Sequence, residues 1–255
     1  MARIRPVDFE DRLTLVEHLD ELRSRIIVSL AVFGVALALC FWQNHLLLDI
    51  ANEPLDREPI TFGVAEPFTT TLTISAYGAI LLSLPVLLYQ AYAFVLPALS
   101  PRERKVILPF LLLAPFLFAA GVVFAYFVVL PAAVQFLTNF NSDEFNVEIR
   151  ARDYYSFFAL TEIAIGFLFQ IPIAILAITR LGIFTPDQIA ANRRYAILVI
   201  AVVAMLLPGT DPVTMLISMV PLVLLFEGSL LLARLFGGPI PGEEPGADLG
   251  VTEAP

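Results

Sequence analysis

The sequence predicts an all-α polytopic membrane protein of six kinked transmembrane helices, the last two of them short. Composition indicates the class, because hydrophobic residues make up 58% of the chain, charged residues make up 15%, and the mean hydropathy is +0.83. Soluble domains carry about 25% charged residues. Long runs without charge indicate the helices, since about 20 apolar residues cross a hydrocarbon core about 30 Å thick.

Six such runs follow one another along the chain. They cover residues 26–48, 67–98, 106–141, 154–179, 195–210 and 212–233, with Glu162 interrupting the fourth and Glu227 the sixth. The third run is too long for one simple crossing, so we expect it to tilt or to project beyond the bilayer. The last two runs form a hairpin that barely reaches across a bilayer. The bilayer must become thinner at this hairpin, or other helices must shield its ends, because its helices are shorter than the hydrocarbon core is thick.

The distribution of Lys and Arg predicts the orientation. All of them except Arg57, Arg150 and Arg152 fall in segments on one side of the six predicted helices. The positive-inside rule assigns that side to the cytoplasm, so both termini are expected there. We divide the chain into a cytoplasmic amphipathic segment (1–25), a six-helix transmembrane domain (26–235) and a disordered acidic tail (236–255).

Prolines within the runs predict bent helices that leave a groove at membrane depth. They are Pro85, Pro109, Pro115, Pro131, Pro172 and Pro221. The single cysteine, Cys40, excludes an internal disulfide, and we interpret it as a small apolar residue within the first helix. The chain has no Cys/His cluster, so we expect neither a metal site nor a cofactor.

Two carboxylates stand at the predicted cytoplasmic mouth of the bundle. Glu21 precedes the first run, in a segment whose leucines recur with helical spacing, and Glu103 lies in the short basic loop before the third run. Both have a structural alternative: Glu21 can pair with Arg25, four residues on, and Glu103 can close a capping box with Ser100. Carboxylates in a basic setting point to a partner with guanidinium or ammonium groups.

Four polar residues lie in or near the predicted membrane region: Glu162, Gln170, Asp211 and Glu227. Acids within a membrane are costly and usually functional. Glu162 and Gln170 are eight residues apart, which places them on one face of a continuous helix. They serve either function or helix packing. The structural alternatives for the others are that Asp211 only ends the fifth helix and that Glu227 lies near the headgroups or pairs with Arg234.

Several segments together resemble the TatC family, the multispanning receptor subunits of the twin-arginine protein translocase. The resemblance covers about residues 14–235. It rests on segments 18–25 (HLDELRSR), 66–68 (EPF), 89–94 (YQAYAF), 97–99 (PAL), 103–104 (ER) and 124–127 (FAYF).

The resemblance implies a cup-shaped six-helix bundle that binds the signal peptides of folded proteins, which carry two adjacent arginines. Glu21 and Glu103 match the signal-binding acids of the family, and Arg23 and Phe94 match other functional positions of the cytoplasmic face. In addition, a proline of the first outer loop is matched by Pro54, and an acid at the turn between the fifth and sixth helices is matched by Asp211. One position departs from the pattern: many members carry glutamate in the fourth helix where this chain has Gln170.

The implied partners are the single-span subunits TatA and TatB, membrane lipid and further copies of the chain within a larger complex. The implied setting is the bacterial cytoplasmic (inner) membrane, with the proton-motive force as the energy source. A rival interpretation is an ion-coupled carrier of small solutes, with Glu162 and Asp211 as coupling acids. The sequence contains no nucleophile elbow and no nucleotide-binding loop, so an enzyme is not expected. Nor do we expect nucleic acid as a partner.

Overall fold

The computed structural model describes residues 15–55, 57–95, 101–145, 147–180, 183–206 and 211–236. The predicted tail, the Ser100 cap and the turn at 207–210 lie outside these ranges. The described chain is helical almost throughout. Its helices are α1 (Leu15–Trp42), α2 (Asn44–Asn52), α3 (Glu66–Val95), α4 (Pro101–Phe124), α5 (Leu130–Asn139), α6 (Ala151–Leu168), α7 (Ile171–Arg180), α8 (Pro186–Ala191), α9 (Arg193–Met205) and α10 (Pro212–Phe236).

Five helical segments of the described chain are long and apolar enough to cross a membrane. They are His18–Trp42, Glu66–Phe94, Leu112–Asn139, Ala151–Arg180 and Pro212–Leu235. This confirms the predicted all-α polytopic class. The predicted fifth crossing corresponds to α9, which has 13 residues and so reaches only about 20 Å. Six crossings therefore remain a prediction, whereas the shortness of this helix is a feature of the structure.

The first membrane helix ends earlier than the charge-free run. α1 stops at Trp42, and α2 begins at Asn44 after a single turn residue. The Asn44 side-chain amide donates to the Phe41 carbonyl at 2.7 Å, which satisfies a carbonyl that α1 leaves open at its end. Hydropathy alone does not reveal this break, because the residues on both sides are apolar.

A π-helical segment joins α4 to α5 over Ala125–Val129, so one long helical path runs from Pro101 to Asn139. Pro131 follows it and has no N–H to donate to the carbonyl four residues earlier. The wider π-helical turn accommodates this missing bond without ending the helix. Tyr126 lies within this segment.

The fourth predicted helix is broken. α6 ends at Leu168 and α7 begins at Ile171, with Pro172 in its first turn. Proline is tolerated in a first turn but not inside a helix, so the break falls just before it. Glu162 and Gln170 therefore do not lie on one continuous helix, and the shared face expected from their spacing stays a prediction.

α4 and α6 cross at a contact between glycines. A Cβ atom on Gly121 would lie 2.9 Å from the Gly166 Cα atom, and one on Gly166 would meet the ring of Phe118. Only glycine allows this approach of the two backbones. The crossing places α6 in the middle of the bundle, between α3 and α4, where half of its apolar window is buried.

At the predicted outer end, the two long connections are tied to each other. Ile60 exchanges backbone hydrogen bonds with Ile149 and Ala151, each at 2.8 Å. Arg150 donates through Nε to the buried Glu66 carboxylate at 2.7 Å. The pKa of Arg150 is raised because that carboxylate accepts its hydrogen bond. These contacts fix where α3 and α6 begin.

Candidate functional site

The amino-terminal part of α1 packs against the carboxyl-terminal end of α3, and this meeting point holds two of the predicted binding residues, Glu21 and Phe94. We call it the α1–α3 site (His18, Glu21, Arg25, Gln90 and Phe94). It lies at the end of the bundle predicted to be cytoplasmic. Both helices carry polar side chains here, such as Glu21 on α1 and Gln90 on α3, because each helix extends beyond its apolar run or ends near its limit.

Glu21 is held by Arg25, as its structural alternative proposed. Arg25 donates through Nε to Glu21 Oε1 at 3.1 Å and through a second nitrogen to the same oxygen. It also donates to Gln90 Oε1 at 3.0 Å. The guanidinium therefore bridges α1 to α3 and fixes the direction of the Glu21 carboxylate.

The second oxygen of Glu21 is less engaged. Glu21 Oε2 lies 3.7 Å from His18 Nδ1, beyond normal hydrogen-bond distance, and 24% of the Glu21 side chain is exposed. A carboxylate offers about four lone-pair positions. The geometry thus leaves acceptor capacity on Oε2 of a partly exposed carboxylate whose other oxygen is held by Arg25.

Phe94 lies in the last turn of α3 and stacks on the His18 ring. The ring centroids are 4.2 Å apart and the planes differ by 11°. Arg23 lies on the same stretch of α1 and is exposed to solvent. The structure therefore brings Glu21 and Phe94 into one site through His18, with Arg23 beside them on the surface.

Glu103 lies in the first turn of α4, which begins at Pro101 as the predicted cap requires. Its side chain is outside the part of the chain that the structure describes. The joint action of Glu21 and Glu103 therefore remains a prediction.

Gln170 lies at the break between α6 and α7 and contacts α4. Its amide nitrogen donates to the Ala114 carbonyl at 3.0 Å, whereas its Oε1 atom is buried without a hydrogen-bond partner among the described residues. A glutamine can make this bond and an ionised glutamate cannot, because a carboxylate only accepts. The departure from the family pattern is thus tied to a specific contact of this chain.

Glu162 is 2% exposed and lies on α6, where it lines a cavity of about 400 Å³. Within the described chain, neither of its carboxyl oxygens has a hydrogen-bond partner. The structural alternative for Glu162 was helix packing through a hydrogen bond. No described residue provides such a bond.

Asp211 caps the amino end of α10. Its Oδ1 atom accepts from the Thr214 backbone N–H at 2.7 Å, three residues on, which is the usual geometry of a capping aspartate. Glu227 pairs with Arg193 at 3.0 Å rather than with the predicted Arg234. The alternative of a pair with Arg234 is wrong, because spacing within α10 cannot reveal a partner on α9.

Pro54 is half-buried just after α2 and lines a groove of about 410 Å³ at the predicted outer end. Glu53, beside it, accepts from the Tyr126 hydroxyl at 2.6 Å. This contact links the first long connection to the π-helical segment.

A family model described as Sec-independent protein translocase protein (TatC) matches residues 17–221 of the chain. The chain belongs to the TatC family. TatC of Desulforapulum autotrophicum is 33% identical over 234 residues, covering 89% of this chain and 87% of that protein. TatCd of Bacillus subtilis is 36% identical over 219 residues, covering 86% and 90%. A crystal structure of the twin arginine translocase receptor TatC in DDM matches with a TM-score of 0.74 at 33% identity, covering 85% of this chain and 99% of that chain.

As a TatC protein, the chain is a multi-pass membrane subunit of a Sec-independent protein translocase. The family is a protein translocase component. The family membership therefore favours protein transport over the rival interpretation, an ion-coupled carrier of small solutes.

Sequence reasoning missed several TatC residues that build the site or its frame. His18 and Gln90 stand within the matched segments, but only the fold shows that they hold Phe94 and Arg25. Glu66 and Arg150 form the outer ion pair across 84 positions. The available signal was that Glu66 stands directly before an apolar run, where an unpaired charge would be costly.

Proposed function

We propose that the chain is the signal-peptide receptor of a twin-arginine translocase, acting at the cytoplasmic face of the bacterial inner membrane. Glu21 and Glu103 receive the paired arginines, and Arg23 and Phe94 line the same face. The observation that carries this proposal is the Glu21 carboxylate. Arg25, itself bonded to Gln90, holds its Oε1 atom, while its Oε2 atom has no partner within normal hydrogen-bond distance among the described residues and the side chain is 24% exposed.

The fixed position of Glu21 supports binding because an ordered anion loses little conformational freedom when a ligand arrives. The Arg25–Gln90 contact orders this carboxylate before binding. Glu21 Oε2 can then accept from an incoming guanidinium while Oε1 stays on Arg25, so the resident ion pair need not break.

The preference for arginine over lysine follows from the geometry of the two cations. A guanidinium presents planar, paired donors that match carboxylates bidentately, whereas an ammonium is a compact point charge that is more strongly hydrated. Two carboxylates at a fixed separation would select two adjacent guanidinium groups over a generic basic segment.

The remaining elements of the proposal follow from charge and from helix length. The excess of Lys and Arg on one side supports cytoplasmic termini. The short α9 supports docking of single-span subunits of the TatA and TatB type where the bilayer is thinned. Transport is then driven by the proton-motive force, and several copies of the chain assemble in the working complex.

Binding of a fluorescent twin-arginine signal peptide to the protein in lipid nanodiscs tests the receptor role. We expect Glu21→Gln and Glu103→Gln each to lower affinity about tenfold, equal to about 1.4 kcal/mol, because each removes one anionic acceptor. Asp20→Asn is the matched control, since Asp20 is an exposed acid next to Glu21 on α1, and it should leave the affinity unchanged. Full binding by both glutamine variants would refute the proposed docking point.

A further inference from the structure

Glu162 is a buried acid that the signal-docking proposal does not use. Glu162 belongs to α6, and residues of α2, α3, α4, α6 and the π-helical segment line its cavity. No residue of the α1–α3 site is among these lining residues. The lining residues are apolar apart from Glu162, Tyr77 and Tyr126. These two tyrosines are the other titratable groups that face the cavity, and no Lys, Arg, His or Asp is among its described lining residues.

This chemistry points to a proton as the ligand. A carboxylate without a cation or a hydrogen-bond donor is costly in an apolar interior, whereas a neutral carboxylic acid is accommodated far more easily. The lining supplies no cation, and Glu162 has no hydrogen-bond partner among the described residues. A bound proton is the remaining way to neutralise it.

A second cavity lies next to the first and gives the proton a route. The groove at the predicted outer end is lined by polar side chains, among them Glu53, Arg57 and Gln135. Tyr126 and Phe127 line both the groove and the Glu162 cavity. The Tyr126 hydroxyl donates to Glu53 on the groove side. One aromatic layer therefore separates a polar groove from a buried acid.

The π-helical segment places this layer. Tyr126 and Phe127 are consecutive residues of Ala125–Val129, where the wider turn shifts side chains relative to a regular helix. π-helical turns occur frequently at functional sites. Here the turn positions the side chain that both cavities share.

We propose that Glu162 is a proton-binding site that exchanges with water in the outer groove, with Tyr126 as the partition between them. The site is independent of signal-peptide docking. Its ionised form would draw water or a donor into the cavity, so proton release is linked to the packing of α6 against α3.

Infrared difference spectroscopy of the full chain in nanodiscs tests the proton site. The wild type should show the carbonyl band of a protonated carboxylic acid that Glu162→Gln lacks, and the band should decline as pH rises from about 5 to about 10. No such difference band, or a band that does not change over this range, overturns the proposal. If Glu162→Gln does not fold, Glu162→Asp serves instead and should shift the band; an unshifted band likewise overturns it.

Carbodiimide labelling, read by peptide mass spectrometry, tests the route. Dicyclohexylcarbodiimide, which is lipid-soluble, should modify Glu162 in the wild type, whereas a water-soluble carbodiimide should not. Tyr126→Ala should admit the water-soluble reagent. Leu81→Ala is the matched control, because Leu81 lines the Glu162 cavity but not the groove. Equal labelling of the two variants by the water-soluble reagent, or none in either, contradicts the Tyr126 partition.

Discussion

The Gln170 side chain makes one specific hydrogen bond, to the backbone carbonyl of Ala114. Its amide group donates to Ala114, which joins the break after α6 to α4. A glutamate at this position could not make that bond while ionised. The residue therefore belongs to the packing of this bundle, whatever further role it has toward a partner helix.

Gln170→Glu should lower stability in a pH-dependent way. At high pH the introduced carboxylate faces a carbonyl oxygen without a proton to donate, which costs about 1–3 kcal/mol. At low pH the neutral acid can donate, so the loss should shrink. Thermal unfolding of the detergent-solubilised protein across pH measures this effect, with the exposed Gln135→Glu as a control expected to have little effect. An unchanged midpoint at high pH would show that the Ala114 contact is not stabilising.

Glu21 illustrates what can be predicted for a site residue from sequence. Its pair with Arg25 follows from a spacing of four on a helix. The contact of Arg25 with Gln90 crosses 65 positions and depends on how α1 lies along α3. Local spacing thus predicts the ion pair but not the tertiary contact that orders it.

At the scale of elements, the glycine contact between α4 and α6 sets how closely the central helices approach. Gly166→Ala places a methyl group against Phe118, so overpacking should destabilise the fold by about 1–3 kcal/mol. Gly228→Ala is the matched control: Gly228 lies inside α10 with nothing within 4 Å of an added Cβ atom. The control should be neutral or slightly stabilising, because alanine favours a helix by about 1 kcal/mol over glycine.

Unfolding midpoints of the two alanine variants, measured side by side in one detergent, provide the comparison. Equal midpoints would mean that the Gly166 contact relaxes without cost and that the α4–α6 crossing is not closely packed.

The membrane helices could be placed from sequence because charge is excluded from the bilayer. The start of α4 at Pro101 was also predictable, since proline favours a first helical position. The break at Gln43 and the π-helical segment were not predictable, because hydropathy reports depth in the membrane and not the continuity of backbone hydrogen bonds. Pro172 did signal the break before α7, but proline within a run equally predicts a kink.

At the scale of the whole molecule, the short α9 distinguishes one side of the bundle. It packs with α7 and α10 around Ile200, Leu222 and Phe226. A helix of 13 residues next to α10, which has 25, leaves a thin edge where lipid must adapt. We propose that single-span partners dock at this edge.

Lengthening α9 by four leucines should remove the mismatch and lower transport of a twin-arginine substrate. The extension adds about 6 Å to the helix. Export assays in cells measure the effect, and the same insertion in the acidic segment 242–249 controls for a longer chain. Normal export by the α9 variant would argue against partner docking by local thinning.

Site-specific photo-crosslinking of a twin-arginine signal peptide tests the receptor account most directly. Crosslinkers at positions 21 and 103 should capture the peptide, and replacement of its two arginines by lysines should abolish capture. A crosslinker at Phe62, an exposed residue at the predicted outer end, serves as the negative control. Equal capture of the lysine peptide, or capture from position 62 but not from 21 and 103, would contradict docking on these two carboxylates.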